Sequence, residues 1–167
     1  MNRRLLFLCT GNYYRSRFAE LLFNSLAAQV QLNWTADSRG IATERGGQNI
    51  GPISPRVLAA LQVRGIGVGT DVRFPRQLQE PDLAHADLII AMDGAEHRPD
   101  LEARFPRWAD RVEYWHIHDL DGASADEAIP ALEREIHSLI QRVSSGSQGR
   151  PGSGWGGVGP RVPGHTE

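Results

Sequence analysis

The segment Arg3-Arg4-Leu5-Leu6-Phe7-Leu8-Cys9-Thr10-Gly11-Asn12-Tyr13-Tyr14-Arg15-Ser16-Arg17-Phe18 changes character twice. Leu5 to Leu8 is an unbroken apolar run behind two arginines, the pattern of a strand buried in a parallel sheet. Thr10-Gly11-Asn12 interrupts it with turn-forming residues. From Ser16 onward Phe18, Leu21, Leu22 and Leu26 recur at helical spacing, with Glu20 and Asn24 between them. Strand, short loop and helix therefore follow one another at the start of the chain.

Such a strand delivers Cys9 to the carboxyl edge of its sheet, where open α/β folds bind ligands. The next helix points its amino end at the same place, which attracts anions and favours thiolate over thiol. Arg15 lies six residues after Cys9. A loop of that length can return the guanidinium over the sulfur, and its planar fork matches two phosphate oxygens. Gly11 lets successive N–H groups converge on an anion, Asn12 tolerates left-handed geometry, and Ser16 can donate a hydrogen bond to the thiolate. A lone cysteine is more often an inert core residue. The order strand–Cys9–loop–Arg15–helix, with Gly-Asn inside it, points instead to a nucleophile.

Composition narrows the chemistry. The 167 residues suit one α/β domain, 40% of them are hydrophobic, and the net charge of -2 gives no electrostatic reason to expect nucleic acid or a membrane surface. All 18 basic side chains are arginine; without lysine there is no Schiff-base chemistry and no Walker-type phosphate loop. Cys9 is the one cysteine, so an internal disulfide and a Cys-rich zinc site are excluded. The apolar run before Cys9 is too short for a secretory core, and no stretch approaches the roughly 20 residues of a membrane helix. The expected location is cytoplasmic.

Further along, Leu32 to Asp37 reads as a second strand and Gly40 to Ile53 as a loop. Ser54-Pro55 opens a helix that runs to Gly65. The stretch from Gly67 to Pro81 reads as irregular. Asp87 to Met92 is a third strand, Asp93 caps the helix after it, and Val112 to Ile117 is a fourth strand. Asp126 to Val143 is a helix with Ile129, Leu132, Ile136, Leu139, Ile140 and Val143 along one face. Strands alternating with helices imply parallel pairing. From Ser144 to Glu167 the chain is about a third glycine, with serine and proline; this composition predicts a disordered tail.

The segment Leu6 to Glu20, with Cys9-Thr10-Gly11-Asn12-Tyr13-Tyr14-Arg15-Ser16 inside it, resembles the signature of the low-molecular-weight protein tyrosine phosphatases. The resemblance continues through Ser38-Arg39-Gly40 and Ala86-Asp87-Leu88-Ile89-Ile90-Ala91-Met92-Asp93 and ends near Val143. It implies a three-layer α/β sandwich over residues 1–143, with a four-stranded parallel sheet, helices on both faces, a phosphate-binding loop after the first strand, and no cofactor or metal. It also implies hydrolysis of phosphomonoesters, phosphotyrosine on proteins above all, through a phosphocysteine. Cys9, Arg15 and an aspartate would be catalytic, with Thr10, Gly11, Asn12, Tyr13, Tyr14 and Ser16 around the phosphate. The sequence departs from the family pattern where Tyr13-Tyr14 replaces Ile-Cys and Arg17 replaces proline. His118-Asp119-Leu120-Asp121-Gly122 stands where the family's acid lies in an Asp-Pro pair.

By position in that pattern the acid is Asp119, with Asp121 second. In the family, a small threonine at the place of Tyr13 accompanies phosphoarginine; a bulky tyrosine there favours a phenyl ring. Three other readings stand beside this one. Arsenate reduction on the same fold would need an external small thiol, since no second cysteine is present. His116, His118, Asp119 and Asp121 could form a metal site. The loss of the Asp-Pro pair would suit a catalytically weak phosphate- or phosphoprotein-binding module.

Overall fold

The computed structural model describes residues 1–118 and 125–146. In chain order they form β1 (Arg3–Cys9), α1 (Arg15–Gln29), β2 (Trp34–Gly40), α2 (Pro55–Val63), α3 (Glu80–His85), β3 (Leu88–Ala91), α4 (Gly94–Arg104), β4 (Glu113–Tyr114) and α5 (Ala125–Gly146). The four strands make one parallel sheet in the order β2-β1-β3-β4. Central β1 sets Cys9 opposite Gly40 of β2, and Leu8 opposite Ala91 of β3.

Alternation along the strands builds two cores. Leu5, Phe7 and Cys9, with Ile90 and Met92, face α1, α2 and α5, whose Phe18, Phe23, Leu61, Leu132 and Ile136 are buried against them. Leu6, Leu8, Ile89 and Ala91 face the other way, onto Leu83 of α3 and Leu101 of α4. The result is the expected three-layer sandwich. Phe7 meets Phe23 edge-on at 6.2 Å. Each fully buried side chain of this size contributes roughly 1.5–3 kcal/mol.

Several boundaries differ from the sequence reading. The second strand runs to Gly40, not Asp37, because it is an edge strand: Trp34, Ala36, Ser38 and Gly40 turn inward while Thr35, Asp37 and Arg39 turn outward. The fourth strand is only Glu113–Tyr114; beyond it the pairing continues as single bonds, Trp115 N–H to Ala91 O and Ile117 N–H to Met92 O. A short helix, α3, lies partly within the stretch read as irregular. It is held by a capping box between Gln79 and Asp82 and buries only Leu83, too little for periodicity to register. Ser54 caps α2 by accepting from the Arg56 N–H. Helix α5 runs three residues past Val143, to Gly146; residues 147–167, and with them most of the expected tail, lie outside the described residues. No helix among the described residues is long and apolar enough to cross a membrane.

Candidate active site

The carboxyl edge of the sheet gathers the end of β1, the loop before α1, the end of β2, the first turn of α4 and the residues after β4. Gly40 is what lets β2 approach so closely. A Cβ there would sit 2.8 Å from the Thr10 carbonyl oxygen and 3.1 Å from the Asn12 nitrogen, so the backbone of the neighbouring strand packs directly under the loop.

Within the loop Asn12 adopts the left-handed conformation, φ 54°, and its side chain is fully buried. Its Nδ2 donates to Ser16 Oγ and to Ser38 Oγ, both at 2.9 Å. Its Oδ1 accepts from Arg73 Nη1 at 2.9 Å and from the Arg76 N–H at 3.0 Å. Both partners of Oδ1 are obligate donors, which fixes the orientation of the amide. Ser16 Oγ lies 3.0 Å from Cys9 Sγ. Toward a Cys9 thiolate, which can only accept, the Ser16 hydroxyl is the donor. Helix α1 carries no acidic residue in its first turn, so nothing on the helix itself offsets its positive end.

Arg15 is 3% exposed. Its Nη1 and Nη2 each donate to the Glu96 carboxylate at 2.9 Å, and Nη1 also donates to the Ile117 carbonyl at 2.9 Å. Glu96 further accepts from the Thr10 hydroxyl at 2.7 Å. Burial alone would raise the Glu96 carboxyl; hydrogen bonds from His97, Arg15 and Thr10, with the Arg15 charge, outweigh it and hold the group well below the usual carboxylate range. His97 is fully buried. Its Nδ1 accepts from the Asp93 N–H at 3.0 Å, which leaves a proton on Nε2 to donate to Thr10 Oγ at 3.2 Å. Asp93 caps α4 through the Ala95 N–H, and its other oxygen lies 2.7 Å from His118 Nδ1.

A second layer lies beneath. Arg73 Nη2 donates to Glu20, to Asp37 and to the Ser38 carbonyl. Burial, then the interaction with Asp37, pushes the Glu20 carboxyl up to about 7. Arg17 is fully buried. It donates to the Pro52 and Arg73 carbonyls at 2.9 and 3.0 Å, while its Nε has no partner among the described residues. Burial, then the Arg73 charge, brings it down to about 10.

Cys9, Asn12 and Ser16 thus form one hydrogen-bonded group, and Thr10 and Arg15 a second one that meets at Glu96. Gly11 lies beside Asn49; Tyr14, half-buried, packs on the core where α1 starts. Tyr13 points to the rim, donating from Oη to the Ile50 carbonyl at 2.6 Å. Asp119 and Asp121 lie outside the described residues. Among the described residues no group of three His, Cys, Asp or Glu is disposed to hold a metal. Sequence reasoning gave no role to Glu96, His97 or Arg73. The first two carried a signal: they follow the cap residue Asp93 at the end of a buried strand, so they open a helix at the same sheet edge as Cys9.

The profile of the family described as low molecular weight phosphotyrosine protein phosphatase matches residues 4–145. A low molecular weight protein-tyrosine-phosphatase of Bacillus subtilis, YfkJ, is 42% identical over 91 residues, 53% of this chain and 55% of that protein. The protein-arginine-phosphatase of the same organism is 33% identical over 108 residues, 65% of this chain and 67% of its own length. The crystal structure of YfkJ superposes with a TM-score of 0.73 and 28% identity, covering 87% of this chain and 96% of that one.

Proposed function

The chain belongs to the low molecular weight phosphotyrosine protein phosphatase family, and from that premise we propose that it hydrolyses phosphomonoesters, tyrosine phosphate on proteins above all, with Cys9 as nucleophile. The observation that carries this reading is the contact of Cys9 Sγ with the Ser16 hydroxyl in the first turn of α1, next in sequence to Arg15, whose guanidinium is buried.

The Cys9 thiolate attacks phosphorus in line with the leaving oxygen; an S–P bond forms and the O–P bond breaks. Arg15 and the N–H groups of the loop hold the equatorial oxygens as charge shifts between them. Asp119 gives the leaving oxygen its proton. As a carboxylate it then takes a proton from the water that attacks the phosphocysteine, and sulfur departs again as thiolate. The described alternative, Glu96, is held ionised and has no proton to give. Asp119 directly follows His118, whose Nδ1 lies 2.7 Å from the Asp93 carboxylate at the cap of α4; Asp121 is the second candidate.

Tyr13 supports a phenolic substrate over phosphoarginine, although one relative is named for the latter. Tied to the Ile50 carbonyl, its ring forms a fixed wall on which another ring can stack. The test is turnover of p-nitrophenyl phosphate, a phosphotyrosine peptide and a phosphoarginine peptide, with Cys9→Ser alongside. Tyrosine phosphate is expected to be hydrolysed fastest and Cys9→Ser to be inactive in all three. Negligible turnover of every substrate would replace this reading with that of a phosphate-binding module.

A further inference from the structure

We propose that Glu96 is a positioning residue for Arg15: it sets the plane of the guanidinium before substrate arrives, so that the grip on phosphate oxygens strengthens chiefly in the transition state. This inference rests on the phosphatase reading above.

A guanidinium presents its donors in one plane, so fixing one edge aims the others. Glu96 takes the Nη1/Nη2 edge with both carboxylate oxygens, and the Ile117 carbonyl takes a further Nη1 hydrogen. The carboxylate is itself fixed. The Thr10 hydroxyl, from the residue after Cys9, donates to Oε1. His97 Nε2 lies 3.4 Å from the same oxygen and is immobilised through its Nδ1 on the Asp93 N–H. The brace therefore runs from the start of α4 to both ends of the nucleophile loop. Glu96 is 31% exposed and Arg15 3%, so the pair meets at the edge of the buried region rather than in open solvent.

Two consequences separate this role from others. First, the negative charge of Glu96 offsets that of Arg15, so ground-state phosphate gains little from the brace. A preset orientation favours the transition state, where oxygen charge and geometry change. Removing the brace should lower kcat and leave phosphate affinity undiminished. Second, because Glu96 is held as a carboxylate, it moves no proton. Its loss should be insensitive to the leaving group.

The experiment is steady-state kinetics of Glu96→Gln, which keeps the shape of the side chain, and of Glu96→Ala. Substrates are p-nitrophenyl phosphate and a phosphotyrosine peptide; inorganic phosphate serves as competitive inhibitor, and Arg15→Lys is combined with Glu96→Gln in a double-mutant cycle. The expected result is a fall in kcat of about 10²-fold for Glu96→Ala, the usual effect of misplacing a catalytic group by an ångström, and a smaller fall for Glu96→Gln. The phosphate inhibition constant should stay level or tighten, both substrates should lose equally, and Glu96→Gln should add little once Arg15 is lysine. Wild-type kcat in both Glu96 variants, a rise in KM with kcat unchanged, or full additivity with Arg15→Lys would each overturn the proposal. If the wild-type protein itself lacks Cys9-dependent turnover, the phosphatase reading fails instead.

Discussion

The Ser16 hydroxyl oxygen lies 3.0 Å from the Cys9 sulfur and accepts from Asn12 Nδ2, so its own proton remains for a Cys9 thiolate. Asn12 holds this arrangement from a left-handed backbone position and is in turn held by Arg73 and the Arg76 N–H. A chain of hydrogen bonds thus runs from Cys9 to the second layer around Glu20 and Asp37, and each link gives a separate handle on the proposed chemistry.

Ser16→Ala should slow the second half of the reaction most. There the thiolate is the leaving group, and a hydrogen bond to a charged atom contributes about 1.5–3 kcal/mol. Turnover of p-nitrophenyl phosphate should fall roughly 10- to 100-fold, and rapid mixing should show a burst of p-nitrophenolate as phosphoenzyme accumulates. Slower turnover with no burst would place the role of Ser16 elsewhere.

Arg15→Lys should damage turnover nearly as much as loss of the nucleophile. A lysine offers a point charge that cannot grip two oxygens in one plane. Nor can it reproduce the paired contacts to Glu96. Near-normal kcat in the lysine variant would sink the account of a planar grip.

The strand–loop–helix order around Cys9 was legible in the sequence because its determinants are local: a buried strand, a Gly-Asn turn and a helical stripe lie side by side in the chain. What surrounds the loop was not legible, because it is assembled from a distance. Glu96 reaches Arg15 across 81 residues and Arg73 reaches Asn12 across 61, and no periodicity reports such contacts. Arg17 was visible as an arginine in place of the family's proline. Its burial and its bonds to the Pro52 and Arg73 carbonyls depend on two loops that carry no repeating pattern. The strand ends were misread where polar residues continue the pairing, as Ser38 to Gly40 do on the edge strand.

The second layer makes stability depend on pH. The Glu20 carboxyl is raised from 4.5 to about 7 in the folded protein. The folded state therefore holds this proton more tightly than the unfolded chain does. The associated stability is complete below about pH 4.5 and is lost as pH rises toward about 7. The displacement corresponds to on the order of 3 kcal/mol. Asp37 moves the other way, since hydrogen bonds from Glu20 and the Ser38 N–H outweigh its burial. Its contribution is present above its ordinary range and falls away only in stronger acid. Urea unfolding at intervals from pH 4.5 to 7.5 should show wild-type stability declining more steeply than that of Glu20→Gln. Parallel curves for the two proteins would refute the assignment.

The acid is tested by its leaving group. If Asp119 protonates the departing oxygen, its loss should matter most where that oxygen leaves badly. A tyrosine phenolate needs the proton far more than p-nitrophenolate does. Asp119→Asn should therefore slow hydrolysis of a phosphotyrosine peptide by roughly 10²–10⁴-fold, the range of general acid catalysis. Phosphoenzyme formation from p-nitrophenyl phosphate in a single turnover should slow by clearly less, and Asp121→Asn should change neither. The contact between His118 and Asp93 adds a control, because it anchors the residue before Asp119 without supplying a proton. His118→Ala should show a weaker form of the same leaving-group dependence, while Glu96→Gln should show none. If Asp121→Asn carries the dependence and Asp119→Asn does not, the roles of the two aspartates are exchanged. If neither does, and the protein still turns over through Cys9, the proton comes from solvent and the missing Asp-Pro pair marks an enzyme confined to good leaving groups.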